Sequence, residues 1–174
     1  MDEREAGRIL WSLINSIEYL QSMGIVHRDL KPENILINPK TYAIQIIDFG
    51  ISCMSDCKVS GTLLYDSPEI LDAIIHGSKK LFSVEELQKS DMFSLGLIFY
   101  KLANGELPSG QSILKGQEYS GIPKLLDYYK TNLNSNRAYA LNINSNTINI
   151  GTNQGVVPPA FNTINIGNVA SLSV

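Results

Sequence analysis

Residues 91–105, Asp-Met-Phe-Ser-Leu-Gly-Leu-Ile-Phe-Tyr-Lys-Leu-Ala-Asn-Gly, present an apolar side chain in nearly every direction when wound as a helix. Such a helix has no face to give to water, so it is stable only where other elements cover it all round. The chain is therefore expected to build one body around this segment. Gly105 supplies the stop, because glycine takes the left-handed conformation without steric cost. With 174 residues, 44% of them hydrophobic, there is enough chain for one core and little prospect of a second full domain.

The covering elements can be read from periodicity. Ile9, Leu10, Leu13, Ile14, Ile17 and Leu20 fall on one stripe at helical spacing, with Trp11 beside it, which predicts a long amphipathic helix over 5–23 ended by Gly24. Two short apolar runs, 34–37 and 43–47, flank the turn-forming Asn-Pro-Lys-Thr-Tyr and read as a β-hairpin. Residues 51–66 are small, polar and aperiodic, a loop long enough to suggest a function. Ser67 as cap and Pro68 at the first helical position open a short helix over 69–77. Residues 77–90 are hydrophilic and expected at the surface, and 122–130 could form one more short helix.

From about residue 131 the composition turns to Asn, Ile, Thr and Gly, and the hexapeptide Asn-Thr-Ile-Asn-Ile-Gly occurs twice, at 146–151 and 162–167. Alternation of Ile with polar residues suits an exposed strand, while asparagine-rich low complexity suits disorder. Disorder or a loosely attached hairpin is the expectation, since two copies are too few for a stacked-repeat architecture.

Charge excludes some partners. A net charge of -3 provides no basic field for nucleic acid or an anionic membrane. The acidic lead of residues 1–10 is unlike a signal peptide, and no apolar run is long enough for a bilayer, so an intracellular, cytoplasmic protein is expected. Cys53 and Cys57 lie near no second Cys or His pair at zinc spacing and read as reduced thiols in a loop.

Against this background the stretch 25–37, Ile-Val-His-Arg-Asp-Leu-Lys-Pro-Glu-Asn-Ile-Leu-Ile, gathers many costly polar groups between apolar runs. Taken singly, Asp29 reads as a turn or cap carboxylate, Asn34 as a turn residue, Lys31 as a solvated charge and His27 as a hydrogen-bonded core residue. Their order along the chain points elsewhere. His-Arg-Asp-Leu-Lys-Pro-Glu-Asn at 27–34, Asp-Phe-Gly at 48–50, Gly-Thr-Leu-Leu-Tyr-Asp-Ser-Pro-Glu at 61–69 and Asp-Met-Phe-Ser-Leu-Gly at 91–96 together resemble the C-terminal lobe of a eukaryotic protein kinase.

The resemblance implies an α+β, mainly helical fold: a kinase-like C-lobe with a small β-hairpin over 1–130, followed by an Asn-rich tail over 131–174. It also implies transfer of the γ-phosphoryl group of ATP to protein serine or threonine, with Mg²⁺, a chemistry that needs in-line positioning and charge neutralisation. Asp29 would orient or accept the proton of the substrate hydroxyl, and Lys31 would neutralise charge on the transferred group. Asn34 and Asp48 would offer oxygen ligands to the metal and so bind the nucleotide's phosphates. Leu36 would lie under the adenine ring. Gly50 would let the backbone turn after Phe49, while His27 and Phe49 would stack in the column joining the lobes. Arg28 would meet a phosphate on the activation segment, with Ser52, Ser55, Ser60 and Thr62 as candidate donors, and Thr62 would bridge Asp29 and Lys31. Glu69 would pair with a downstream arginine, here Arg137, and Asp91 would hold the catalytic loop through backbone N–H groups.

The sequence also departs from that family. No Gly-x-Gly-x-x-Gly run occurs, so the N-terminal lobe, with the lysine that holds the α- and β-phosphates, is expected to be absent. The segment between Glu69 and Asp91 is longer than the resemblance implies by about ten residues, a tolerable surface insertion. The expectation is therefore a truncated serine/threonine kinase, inactive or nearly so alone. Its partners would be a protein substrate and a complete kinase or the missing lobe. The alternative is a pseudokinase-like interaction module, whose apolar upper face docks a partner without catalysis.

Overall fold

The structure, a computed structural model, describes residues 3–107, residues 121, 123, 124, 126 and 127, and the backbone of segments 141–143, 147–150 and 163–165. The elements are α1 (Glu3–Ser22), β1 (Ile35–Ile37), β2 (Ile44–Ile46), α2 (Pro68–Ile75), α3 (Val84–Asn104), β3 (Leu141–Ile143), β4 (Thr147–Ile150) and β5 (Thr163–Asn165).

Helix α1 buries Ala6, Ile9, Leu10, Leu13, Ile14 and Ile17, the i, i+3, i+4, i+7 stripe of one helix face. These residues pack against Leu95, Leu97, Ile98 and Phe99 of α3, and Leu30, Ile35 and Tyr65 complete the cluster. The end of α1 is a Schellman arrangement: Gly24 has φ +69°, its N–H reaches Gln21 O at 2.9 Å, and Ile25 N–H reaches Leu20 O at 2.9 Å. These bonds satisfy carbonyls the helix end would otherwise leave open. The chain thus reverses onto the core at Val26, which is fully buried.

Helix α3 begins two turns earlier than apolar spacing suggests. Ser83 accepts from Glu86 N–H at 3.2 Å while Glu86 Oε2 accepts from Ser83 N–H at 2.8 Å, a reciprocal capping box. The surface expectation for 77–90 is thereby corrected in part. Phe82 and Leu87 are buried and form a second apolar cluster with Val26, Ile70 and Ala73. The apolar part of α3, Leu95–Tyr100, is buried throughout, and Gly105 at φ +81° ends the helix with its N–H on Lys101 O.

Strands β1 and β2 pair antiparallel with Ile35 opposite Ile46 and Ile37 opposite Ile44. The turn between them is held by Asn38, whose Oδ1 accepts from Lys40 and Thr41 N–H. Tyr42 Oη donates to Glu5 Oε1 at 2.7 Å, tying the hairpin turn to α1. Ser67 occupies the position before α2 but makes no side-chain cap; its hydroxyl donates instead to Ser90 on α3 at 2.8 Å. The expected cap is replaced by a buried bond between the two helices.

The described residues between 121 and 127 are helical, and the rest of the helix expected at 122–130 lies outside the described residues. Strands β3, β4 and β5 form an antiparallel sheet in that order, with the two hexapeptide copies paired so that Ile148 faces Ile164 in register. Segments 131–140, 144–146, 151–162 and 166–174 lie outside the described residues. No helix among the described residues is long and apolar enough to cross a membrane.

Candidate active site

The loop from Val26 to Asn34 is anchored at both ends. Val26 and Cys53 exchange backbone bonds of 2.9 and 3.0 Å, and a short 3₁₀ turn, Pro32–Asn34, leads into β1. Between these anchors Arg28 takes φ +71°, a conformation uncommon for a residue with a Cβ. Asp91 compensates: buried on α3, it accepts from His27 N–H at 2.8 Å through Oδ2 and from Arg28 N–H at 2.9 Å through Oδ1. Burial pushes its carboxyl up to about 6, although the two N–H groups act in the opposite direction.

Asp29 is the hub of the loop. Its Oδ2 accepts from Lys31 Nζ at 2.7 Å and Asn34 Nδ2 at 3.0 Å, and its Oδ1 accepts from Thr62 Oγ1 at 2.5 Å. Lys31 Nζ also donates to Thr62 Oγ1 at 3.0 Å, closing a triangle between the loop and the segment at 61–69. Burial by itself would raise the Asp29 carboxyl, but the bonds from Lys31 and Thr62 and the Lys31 charge together hold it below the usual carboxylate range. These bonds favour the ionised carboxylate and fix the orientation of both its oxygens.

Asn34 is buried, and its amide nitrogen serves Asp29 O at 2.8 Å as well as the carboxylate. Its side-chain oxygen is the remaining hard donor. The turn carrying Asp48 is linked to the same loop through Ile47, whose N–H donates to Asn34 O at 2.9 Å and whose carbonyl meets His27 Nε2 at 2.9 Å. Because His27 Nδ1 accepts from Asp29 N–H at 3.2 Å, its Nε2 carries the proton that Ile47 O receives. Asp48 itself has φ +61°, is exposed, and accepts from Gly50 N–H at 3.2 Å. Any Cβ at position 50 would stand 3.1 Å from that oxygen, which favours glycine there. Among the described residues no three His, Cys, Asp or Glu side chains cluster as a metal site. The Asp48 carboxylate and the Asn34 amide oxygen are hard oxygen donors of the kind Mg²⁺ takes, an ion that keeps several waters and needs few protein ligands.

Phe49 lies edge-on to His27 with ring centroids 4.9 Å apart. It is 45% exposed, and Leu36 is 52% exposed. The strand residue that joins the core is Ile35, whereas Leu36 turns outward from it. A groove of about 350 Å³ opens beside Phe49, lined by Asn15, Ser16, Tyr19, Leu20 and Ile46.

Arg28 reaches into the loop at 51–58, where Nη1 donates to Ile51 O at 2.9 Å and Nη2 to Lys58 O. Two of the candidate phosphorylation hydroxyls are already engaged: Ser52 donates to His27 O at 3.2 Å, and Thr62 belongs to the Asp29 triangle. Glu69 is exposed in the first turn of α2, and its anticipated partner Arg137 lies outside the described residues.

Four polar residues that spacing did not single out complete the surroundings. Ser94 on α3 donates to Tyr65 O at 2.8 Å, and Ser90 receives the Ser67 hydroxyl. Lys101 Nζ donates to Tyr65 Oη at 3.3 Å. Asp66 is buried with Oδ2 unpartnered, and burial, reinforced by the Asp29 charge, pushes its carboxyl up to about 7. Its only signal in the sequence is a charge between Tyr65 and Ser67, in a segment held on both sides by short-range turns.

The chain is similar to known proteins over most of its length. Residues 1–152 match the family model described as protein kinase domain. A serine/threonine-protein kinase of Schizosaccharomyces pombe is 36% identical over 138 residues, covering 75% of this chain and 19% of that protein. A carbon catabolite-derepressing protein kinase of Secale cereale is 39% identical over 113 residues, 62% of this chain and 20% of its own length. Testis-specific serine/threonine-protein kinase 5 of Mus musculus is 35% identical over 114 residues, 62% of this chain and 28% of its own length. The chain therefore spans only about a fifth to just over a quarter of these relatives. With most of its length covered by the domain match, the chain belongs to the protein kinase family.

Proposed function

We propose that residues 27–62 carry the phosphoryl-transfer site of a serine/threonine protein kinase, and that residues 1–130 are the C-lobe part of that domain. The observation that carries this reading is the triangle of Asp29, Lys31 and Thr62, in which each side chain bonds the other two. Mg²⁺, when bound, neutralises charge on the phosphates of ATP. Asp29, kept ionised by Lys31 and Thr62, orients the acceptor hydroxyl and takes its proton. Lys31 faces the charge that grows on the transferred group, and Thr62 fixes the distance between them. Asn34 and Asp48 hold the metal through oxygen, and Leu36 lies against the adenine. Arg28 receives a phosphate in place of the Ile51 and Lys58 carbonyls, with Ser55 or Ser60 as its bearer, since the hydroxyls of Ser52 and Thr62 are engaged.

The test is Mg²⁺-dependent transfer from ATP to a serine or threonine peptide. The purified 174-residue chain is expected to show slow transfer, because no glycine-rich phosphate loop occurs in its sequence. Added protein carrying that loop and its lysine should raise the rate, and Asp29→Asn should lower it by about 10²–10⁴-fold in either setting. An Asp29→Asn chain as active as the parent would remove Asp29 from the mechanism.

One observation favours a second reading, an interaction module. Leu36 and Phe49 stand open to water, and Phe49 lines a groove with Tyr19, Leu20 and Ile46, exposed apolar surface of a kind that invites association. On that reading a partner binds equally to the parent chain and to Asp29→Asn, and transfer is absent from both. Light scattering showing a monomer indifferent to ATP at all concentrations would count against both readings.

A further inference from the structure

We propose that Cys53 and Cys57 are a redox pair, forming a reversible intramolecular disulfide that closes the loop following the Asp48–Gly50 turn. The inference does not depend on the chain's being catalytically active. Both cysteines are free thiols and half-buried, and both are held in place by backbone pairing to different parts of the fold. Cys53 is bridged to Val26, at the mouth of the catalytic loop. Cys57 is bridged to Phe82, just ahead of α3, by bonds of 3.0 and 2.8 Å. The three residues between them, Met54, Ser55 and Asp56, turn through exposed positions.

The two side chains pack against one apolar cluster, formed by Val26, Ile70, Ala73, Phe82 and Leu87. Backed by the same cluster, the two thiols are within hydrogen-bonding reach of one another. Cys57 Sγ donates to Ser55 O at 3.2 Å. Burial, and then the hydrogen bond with the Cys57 thiol, push the Cys53 thiol up. A thiol held neutral is a slow first nucleophile, because the thiolate is the reactive form. Cys57, whose sulfur bonds Ser55 O at the exposed turn, meets the oxidant first and Cys53 resolves.

With hydrogen peroxide as oxidant the steps balance. The Cys57 thiolate sulfur attacks one peroxide oxygen, the O–O bond breaks, and the departing hydroxide takes a proton to leave as water. The resulting sulfenic acid is attacked by the Cys53 sulfur, which gives up its proton as the S–O bond breaks and a second water leaves. Two thiols and one peroxide yield one disulfide and two waters, and a small dithiol reverses the change.

The position of the pair gives the bond a consequence. Ile51 and Lys58, whose carbonyls hold the Arg28 guanidinium, flank Cys53 and Cys57 on either side. Closing the turn fixes the spacing of those two carbonyls, so the oxidised loop is a clamp around Arg28.

The test treats the reduced chain with a small excess of hydrogen peroxide, alkylates it in denaturant and measures intact mass. The expected product is a monomer lighter by two hydrogens that has lost both alkylation sites together and regains both with dithiothreitol. In Cys53→Ser, Cys57 should stop at a sulfenic acid that dimedone traps, whereas the parent chain gives no such adduct. Trypsin should cut the native chain after the exposed Lys58 several-fold more slowly once it is oxidised, and peroxide should leave cutting of the Cys53→Ser/Cys57→Ser chain unchanged. Two thiols still open to alkylation, separate over-oxidation of each, or disulfides only between chains would overturn the pairing. Equal trypsin rates for oxidised and reduced parent chain would overturn the clamp.

Discussion

Asp66 sits where an ionised carboxylate is least welcome, buried, with one oxygen unpartnered and the Asp29 anion nearby. Its pKa rises from 3.8 to about 7 on folding. Below about pH 4 the group is neutral in both folded and unfolded chains, and its contribution to stability is fully present. Between about pH 4 and 7 the unfolded chain gives up the proton more readily than the folded one, so stability falls as pH rises. Asp91, raised to about 6, adds to the same trend over a narrower window. Asp66→Asn should therefore flatten the denaturation midpoint against pH and stabilise the chain above about pH 7 by up to about 4 kcal/mol. An unchanged pH slope would show that Asp66 is solvated. The residue opposite explains a neighbouring constraint: a Cβ on Gly61 would lie 2.0 Å from Asp66 Oδ1 and 3.0 Å from Arg28 O. Gly61→Ala should cost about 1–3 kcal/mol in chemical denaturation by overpacking this corner. Asp29, Lys31 and Asn34 were legible as a group because one contiguous motif names them, and Thr62, 33 residues from Asp29, was joined to them only by the family resemblance of the 61–69 segment. Asp66 was not, since its burial comes from packing of segments distant in sequence, and no spacing rule reports that.

At the scale of elements, sequence patterns located what apolar spacing and glycine stops control and missed what serine side chains do at helix starts. The stripe of α1, the β1–β2 pairing and the Gly105 stop were readable because each follows from periodicity or from glycine's freedom. The first two turns of α3 were hidden by their charge. Glu85 and Lys89 face water and bond one another at 2.8 Å, so the stretch looks like a loop until Ser83 and Glu86 are seen three apart. Ser83→Ala should cost about 1 kcal/mol of stability by thermal or chemical unfolding. The Ser67 reading failed for a related reason. A serine before Pro68 has the right backbone position, but the approach of α3 offers its hydroxyl a buried partner in Ser90, and tertiary contact overrode the local choice.

Across the whole molecule, the helix that most needs burial is also the one that holds the site. Phe99 is fully buried in the cluster that contains Leu30 and Ile35, the residues flanking the Lys31–Asn34 segment. Phe99→Ala should cost about 3–5 kcal/mol, and calorimetry should show the loss as a lower midpoint for the whole cooperative unit rather than for one part. Asp91, on the same helix, carries the backbone of the 26–34 loop on its two oxygens. An asparagine there can accept through only one atom, so one backbone N–H loses its partner. Asp91→Asn should destabilise by about 1–3 kcal/mol and slow transfer without touching nucleotide or acceptor. The two grips on Asp91 also set how disturbance travels. A roll of α3 in its socket would first pull on the backbone of His27 and Arg28, the two residues just ahead of Asp29, so the helix's seating and the loop's own bonds share in setting where that carboxylate stands.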